Sequence, residues 1–248
     1  MAEYPVLPKA PLTEALVDIH VVTDNDLRRL AAFNEGIEHR FPTRSEWRVL
    51  NVFQGPQAQV QADAQPWGTN LGYRFESRAA EQPDRVVLAR MNGFTFSRLW
   101  GYDDWHTFST EAKELWERYV SLAKPSRVTR VALRYINRIQ IPWPFKDFEE
   151  YFLTVPRVAP AIDKGLSGYL MQLQLPQSDS ITAVVTQVAE PITPETSTAS
   201  IVFDIDVFQT QEHDPLSGSV WELCERLRNI KNSIFFESIT PRTRELFE

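Results

Sequence analysis

From Val128 to Ile141 the chain reads as a strand. Val131, Leu133, Tyr135, Ile139 and Ile141 fall on one parity, and Arg130, Arg134 and Arg138 on the other. Side chains of a strand point to opposite faces with period two. This stretch therefore has one face in a core and one face carrying guanidinium groups, each ~13 Å from the next along the strand. Whatever else the chain does, it must build a sheet and cover one side of it.

The same period recurs near the start. Leu12, Glu14, Leu16, Asp18, His20 and Val22 share one face, and Ala15, Val17, Ile19 and Val21 the other. Further strands are expected at Trp47–Gln54, Gly72–Ser77, Arg85–Met91, Tyr169–Leu175, Ile181–Ala189 and Ser200–Phe208. Asn92-Gly93 stands between two apolar runs and predicts a hairpin with a type I′ turn, because both residues tolerate positive φ. Pro156–Gly168 and Glu190–Ala199 read as loops, and Gly55–Asn70 as a long loop or a weak edge strand.

Helical spacing appears in four places. Leu27, Leu30, Ala31, Ile37 and Phe41 are closed by Pro42, and Phe145–Leu153 is short. Trp105, Phe108, Ala112, Leu115, Trp116, Tyr119 and Leu122 form one apolar stripe that Pro125 ends. Ser219–Phe236 turns Val220, Leu223, Cys224, Leu227, Ile230 and Ile234 inward. Thr240-Pro241 then opens a short last helix.

The resulting order is strand, helix, strands, helix, given twice. The expected fold is α+β, with a β-α-β(4)-α unit over 1–124 and a β-α-β(3)-α unit over 125–248. Each unit would be an antiparallel sheet gripping a long helix, in the manner of helix-grip or TATA-binding-protein-like folds. The two sheets could join edge to edge into one saddle, which would protect otherwise open strand edges.

Composition narrows the functional classes. The net charge of −7 argues against wholesale nucleic-acid or anionic-membrane binding. A single cysteine excludes a disulfide framework and a cysteine-based zinc module, and Cys224 sits in a helical pattern as a core thiol. Met1–Leu12 lack the basic and apolar regions of a signal peptide, and no apolar run is long enough for a transmembrane helix. The expected location is the cytoplasm, with no membrane partner.

Among chemistry-bearing residues, Arg130, Arg134 and Arg138 stand out as an anion- or partner-binding stripe. The competing reading pairs them with acids on a neighbouring strand, Asp204 and Asp206 being the obvious ones. Glu14, Asp18 and His20 share a face, but only Asp18 and His20 are close enough to share an ion, so no metal site is expected. The other histidines, His39, His106 and His213, have no ligand-spaced partner. No glycine-rich phosphate loop or nucleophile elbow is present, so no cofactor is expected. Ser217-Gly218-Ser219 reads as the approach to a helix N-terminus. The aromatic run Trp100–Trp105 reads as a packed corner, since Asp103 and Asp104 would repel phosphate.

Three stretches carry a resemblance. Leu7-Pro8-Lys9-Ala10-Pro11-Leu12-Thr13-Glu14-Ala15 is similar to a Pro-Leu-x-x-Ala-Pro-Ile-x-Glu-Ala opening. Tyr102-x-x-Trp105 with Leu133–Ile139, and Asn232–Phe235 with Ser238-Ile239-Thr240, complete it. Together they resemble a family of proteins of similar length scattered sporadically among bacteria and archaea. No activity or catalytic set comes with that resemblance. Its sporadic occurrence implies a mobile defence or toxin–antitoxin setting.

The expectation is a non-catalytic interaction protein whose partner is another protein. Two alternatives remain open. One is a small-molecule binder or enzyme using a cavity between sheet and helix. The other is a nucleic-acid backbone binder using the arginine face.

Overall fold

The computed structural model describes residues 4–5, 7–24, 26–49, 69–77, 84–99, 101–102, 104–159, 161–162, 166–191 and 197–248. Its strands are β1 (Leu12–Val22), β2 (Thr43–Val49), β3 (Thr69–Glu76), β4 (Arg85–Arg90), β5 (Gly93–Arg98), β6 (Arg127–Pro142), β7 (Tyr169–Pro176), β8 (Ile181–Ala189) and β9 (Thr198–Gln209). The helices are α1 (Trp105–Ala123), α2 (Ser219–Ser238) and α3 (Pro241–Glu245). The fold is α+β. Its strands follow the hydrogen-bonded order β2-β3-β4-β5-β1-β6-β9-β8-β7.

The chain divides into two compact units, neither continuous in sequence. One holds residues 17–130 and 212–220; the other holds 1–16, 131–211 and 221–248. These boundaries differ from a cut at 124/125 because of where two strands make their bonds. The start of β1 belongs with β6: Thr13 Oγ1 donates to the Ile136 carbonyl at 2.9 Å, and Arg138 N to the Pro11 carbonyl at 2.8 Å. The end of β1 belongs with the chain after α1, where Ser126 N donates to the Val22 carbonyl at 2.8 Å and Thr23 Oγ1 to that of Ala123 at 2.6 Å.

In the unit holding 17–130, α1 lays its stripe on an aromatic layer. Phe94 meets Trp116 and Tyr119 at 5.8 and 5.6 Å between ring centres, and Phe96 stacks on Phe108 at 5.3 Å. Such pairs add ~0.5–1.5 kcal/mol each beyond their buried area. The Tyr119 hydroxyl is satisfied by donating to the Arg90 carbonyl at 2.7 Å. Asp104 caps α1 by accepting from Thr107 N, and Lys124 ends it at φ 46° before Pro125. Of the expected stripe, Leu122 alone is only half-buried. Tyr102 packs on Phe108 at 5.8 Å, as a corner would; Trp100 and Asp103 lie outside the described residues.

In the other unit, the odd-numbered residues of β6 from Val131 to Ile141 are all buried, as are those of β8 and of β9 from Ala199. Leu223, Cys224 and Leu227 of α2 are buried, and Phe235 meets Phe203 of β9 at 6.1 Å. Thr240 and Pro241 start α3 as expected, with the Thr240 side chain accepting from Thr243 N.

Three local expectations are corrected. The segment Leu27–Phe41 is not an α-helix: a 3-10 turn over Leu27–Ala32 gives way to turns in which Gly36 takes φ +80°. That backbone state breaks a helical ladder. The β4–β5 hairpin exists, but Arg90 pairs with Gly93, so its loop is Met91-Asn92 rather than Asn92-Gly93. Neither loop residue has positive φ, whereas Asp179 and Ser180, between β7 and β8, both do. Ile230 and Ile234 are half-buried, and so is Lys231, which lies between the buried Leu227 and Phe235 on one helical face. The end of the expected strand Trp47–Gln54 and the loop before Thr69 lie outside the described residues.

Candidate functional site

The outward face of β6 carries the arginine stripe, and each of its guanidinium groups has a carboxylate partner. Arg134 grips Asp204 with two parallel donors, Nε to Oδ1 at 2.8 Å and Nη2 to Oδ2 at 2.6 Å. This forked geometry is the strongest form of the pair. Its charge also feels Asp206 and Glu14. Arg138 donates from Nη1 to Glu190 Oε1 and to Ser200 Oγ, both at 2.7 Å. That hydrogen bond holds the Glu190 carboxyl below its ordinary value. The side chains of Arg134 and Arg138 are still 42% and 44% exposed. Asp204 was legible from sequence as a partner, Glu190 was not, because it lies on the chain just after β8.

Arg130 belongs to a different cluster, in the unit that holds 17–130. Asp18 is its centre. Arg130 Nη1 donates to Asp18 Oδ2 at 3.1 Å; Arg90 Nη2 and Thr95 Oγ1 both donate to Oδ1 at 2.6 Å. His20 Nε2 lies 2.9 Å from Oδ2. Burial by itself would raise the Asp18 pKa. The hydrogen bond with His20, the Arg90 charge and the Thr95 hydroxyl outweigh it and hold the carboxyl well below the usual range.

Both Asp18 oxygens are thus taken by donors, which leaves poor access for a cation. Among the described residues no group of three or more His, Cys, Asp and Glu is arranged to hold a metal ion. Sequence reasoning found Asp18 and His20 but missed Arg90 and Thr95. Those contacts are separated by 72 and 77 positions, and no local spacing encodes them.

The remaining candidates are quieter. His39 and His106 are exposed on the surface, and His213 Nδ1 lies 3.4 Å from Ser219 Oγ. Cys224 is a free thiol, fully buried, and burial pushes it up to about 12, with the Glu225 charge adding to the effect. It is inert at neutral pH.

Lys231 was missed altogether. Its Nζ stands 3.7 Å from the centre of the buried Tyr135 ring on β6. Burial, with the Arg228 charge second, draws its pKa down to about 7. The spacing Leu227, Lys231, Phe235 on one helical face could have revealed it.

A groove of about 610 Å³ lies past the end of β6, lined by residues between Trp143 and Leu166. No residue of a strand or of α1, α2 or α3 lines it, so it is not a cavity between sheet and helix of the kind the small-molecule alternative would use. No helix among the described residues is long and apolar enough to cross a membrane. No protein-family model, curated protein or solved structure matches this chain.

Proposed function

We propose that this is a non-catalytic interaction protein that docks another protein on the outward face of β6, β9, β8 and β7. One observation carries the reading: no outward residue of β7, β8, β9, or of β6 from Arg134 onward, is buried. The face mixes Ile136, Val184, Val188 and Val202 with threonines and the Arg134 and Arg138 ion pairs. Apolar patches with paired charges of both signs are the usual content of a docking surface. The two arginines keep unused donors for a partner's acceptors.

The charge balance speaks against nucleic acid. Arg134 and Arg138 share that face with Asp204 and Asp206 and pair with Asp204 and Glu190, so no net positive field is left for a phosphate backbone. The expected setting is a mobile defence or toxin–antitoxin system, in which the docked protein is encoded alongside.

We also infer that the two halves repeat one plan of the helix-grip type. In the order β2-β3-β4-β5-β1 and in the order β7-β8-β9-β6, the first strand of each half lies beside its last. A long helix follows that last strand in both.

The docking reading is tested by copurification from native cells, using tagged wild type and a tagged Arg138→Glu/Val188→Lys variant. The expected result is a stoichiometric partner lost from the variant, whose melting temperature stays close to that of the wild type. Equal retention by both proteins, or no stoichiometric partner for either, overturns the proposal.

A further inference from the structure

We propose that β7 is a dimerisation edge, on which two copies of this chain pair β7 with β7, antiparallel, about a two-fold axis at Gln172. β7 ends the strand order and is paired on one side only, with β8. Gln177 N donates to the Ile181 carbonyl at 2.8 Å where that hairpin closes. In an antiparallel ladder every second residue of a strand bonds to the same neighbour. Tyr169, Met171, Leu173 and Leu175 therefore spend their backbone groups on β8, and Leu170, Gln172 and Gln174 turn theirs toward the open edge. No backbone hydrogen bond among the described residues reaches those three. Pro176 has no N–H to offer and closes the run.

Charge points to a second copy as the occupant. A two-fold axis sets a strand beside its own image, so a charge near the axis meets itself and repels. No residue from Leu166 to Ser178 is charged. β2, at the other end of the strand order, carries Arg44, Glu46 and Arg48, the ordinary protection of an open edge. β7 has no such guard. Its apolar layer is also unfinished. The odd residues of β8 are all buried, whereas Tyr169, Met171, Leu173 and Leu175, on the same side of the sheet, are only half-buried. With Gln172 opposite its own image, Met171 stands across the seam from Leu173 and Tyr169 from Leu175. Leu170, left 73% exposed, stands across from Gln174. Apolar residues thus continue the layer from one copy into the next, and the edge groups of Leu170, Gln172 and Gln174 all find partners. The assembly closes as a dimer, because the two-fold uses β7 of both copies.

Sedimentation velocity of the full chain should show monomer passing to dimer with a midpoint of about 10 μM, since a seam one strand wide is small. Gln172→Pro deletes an edge N–H without touching a bond to β8. Gln172→Lys keeps that N–H and sets two ammonium groups opposite each other. Each should weaken the dimer by about tenfold or more, with circular dichroism and melting temperature close to those of the wild type. The lysine variant guards against a loss caused by misfolding of the proline one. Val202→Lys, on the outward face of β9, should leave the midpoint unchanged. A chain still monomeric at about 200 μM overturns the proposal, including the case in which a different protein's strand takes the edge. So does a dimer that a folded Gln172→Lys leaves intact, or one that Val202→Lys dissociates, as a contact between sheet faces would. The copurification reads a different partner on the face of the sheet rather than its edge, so either proposal can fail alone.

Discussion

Arg134 stands directly opposite Asp206 in the β6–β9 ladder, yet its fork closes on Asp204, the diagonal neighbour. A strand side chain as long as arginine leans along its strand, and diagonal positions lie within its reach. Asp204 is only 13% exposed, so the pair sits at the edge of solvent rather than free in it. Arg134→Ala is expected to cost about 1 kcal/mol in urea unfolding, more than a surface pair and less than a buried one. A double-mutant cycle with Asp204→Asn should recover most of that as coupling, and a cycle with Asp206→Asn little of it.

Asp18 makes the fold acid-sensitive in a defined direction. Its carboxyl is held well below the unfolded value of about 3.9. A depressed acid contributes stability that is present above the unfolded pKa and is lost as pH falls through the folded one. Unfolding free energy should therefore drop below about pH 4 in the wild type. Asp18→Asn should flatten that drop and cost about 3 kcal/mol at pH 7, because Arg90 and Arg130, largely buried, lose the carboxylate charge they share and one of its two acceptor oxygens. Denaturant melts at several pH values measure both effects.

Lys231 gives the opposite slope. With its pKa drawn down to about 7, the folded chain binds fewer protons at this site than the unfolded chain between pH 7 and the ordinary lysine value near 10.4. Stability then rises as pH climbs through that window. Lys231→Met fills that position without a charge. It should raise the urea midpoint at neutral pH and remove the rise seen in the wild type between about pH 7 and 10. A variant with an unchanged pH profile would show that the lysine is solvated.

Gly93 is required for space, not for a left-handed turn. A Cβ built on it would lie 2.6 Å from the Ile19 carbonyl oxygen of β1, a contact that real Cβ atoms do not make. Gly93→Ala is therefore expected to destabilise by about 1–3 kcal/mol through displaced backbone. Asn92→Ala, in the loop without positive φ, should cost much less. Thermal melts of the two variants compare the roles directly.

Gly93 also marks where local reading stops. Asn92-Gly93 correctly located a hairpin, since flanking alternation and a turn pair are local signals. The register, one residue away, was set by the approach of β1, which no window around residue 93 contains. Strand parity was legible almost everywhere because burial on one face leaves a period of two in the chain itself. Thus the odd face of β6, the stripe of α1 and the cap at Thr240 could all be read in advance. The helix expected at Leu27–Phe41 failed for a local reason, the left-handed Gly36 in its middle.

The sequence by itself determined the order of elements, the side of each strand that faces the core, and the candidates Arg130, Arg134 and Arg138. These follow from periodicity, propensity and capping, all of which act over a few residues. Only the tertiary structure decided which acids those arginines hold, and that Arg130 serves Asp18 while Arg134 serves Asp204. It alone brought Arg90 and Thr95 to Asp18 and Lys231 to Tyr135. Those outcomes depend on pairing between segments far apart in the chain. Long-range register is fixed by the burial of whole faces together, so no local pattern records it.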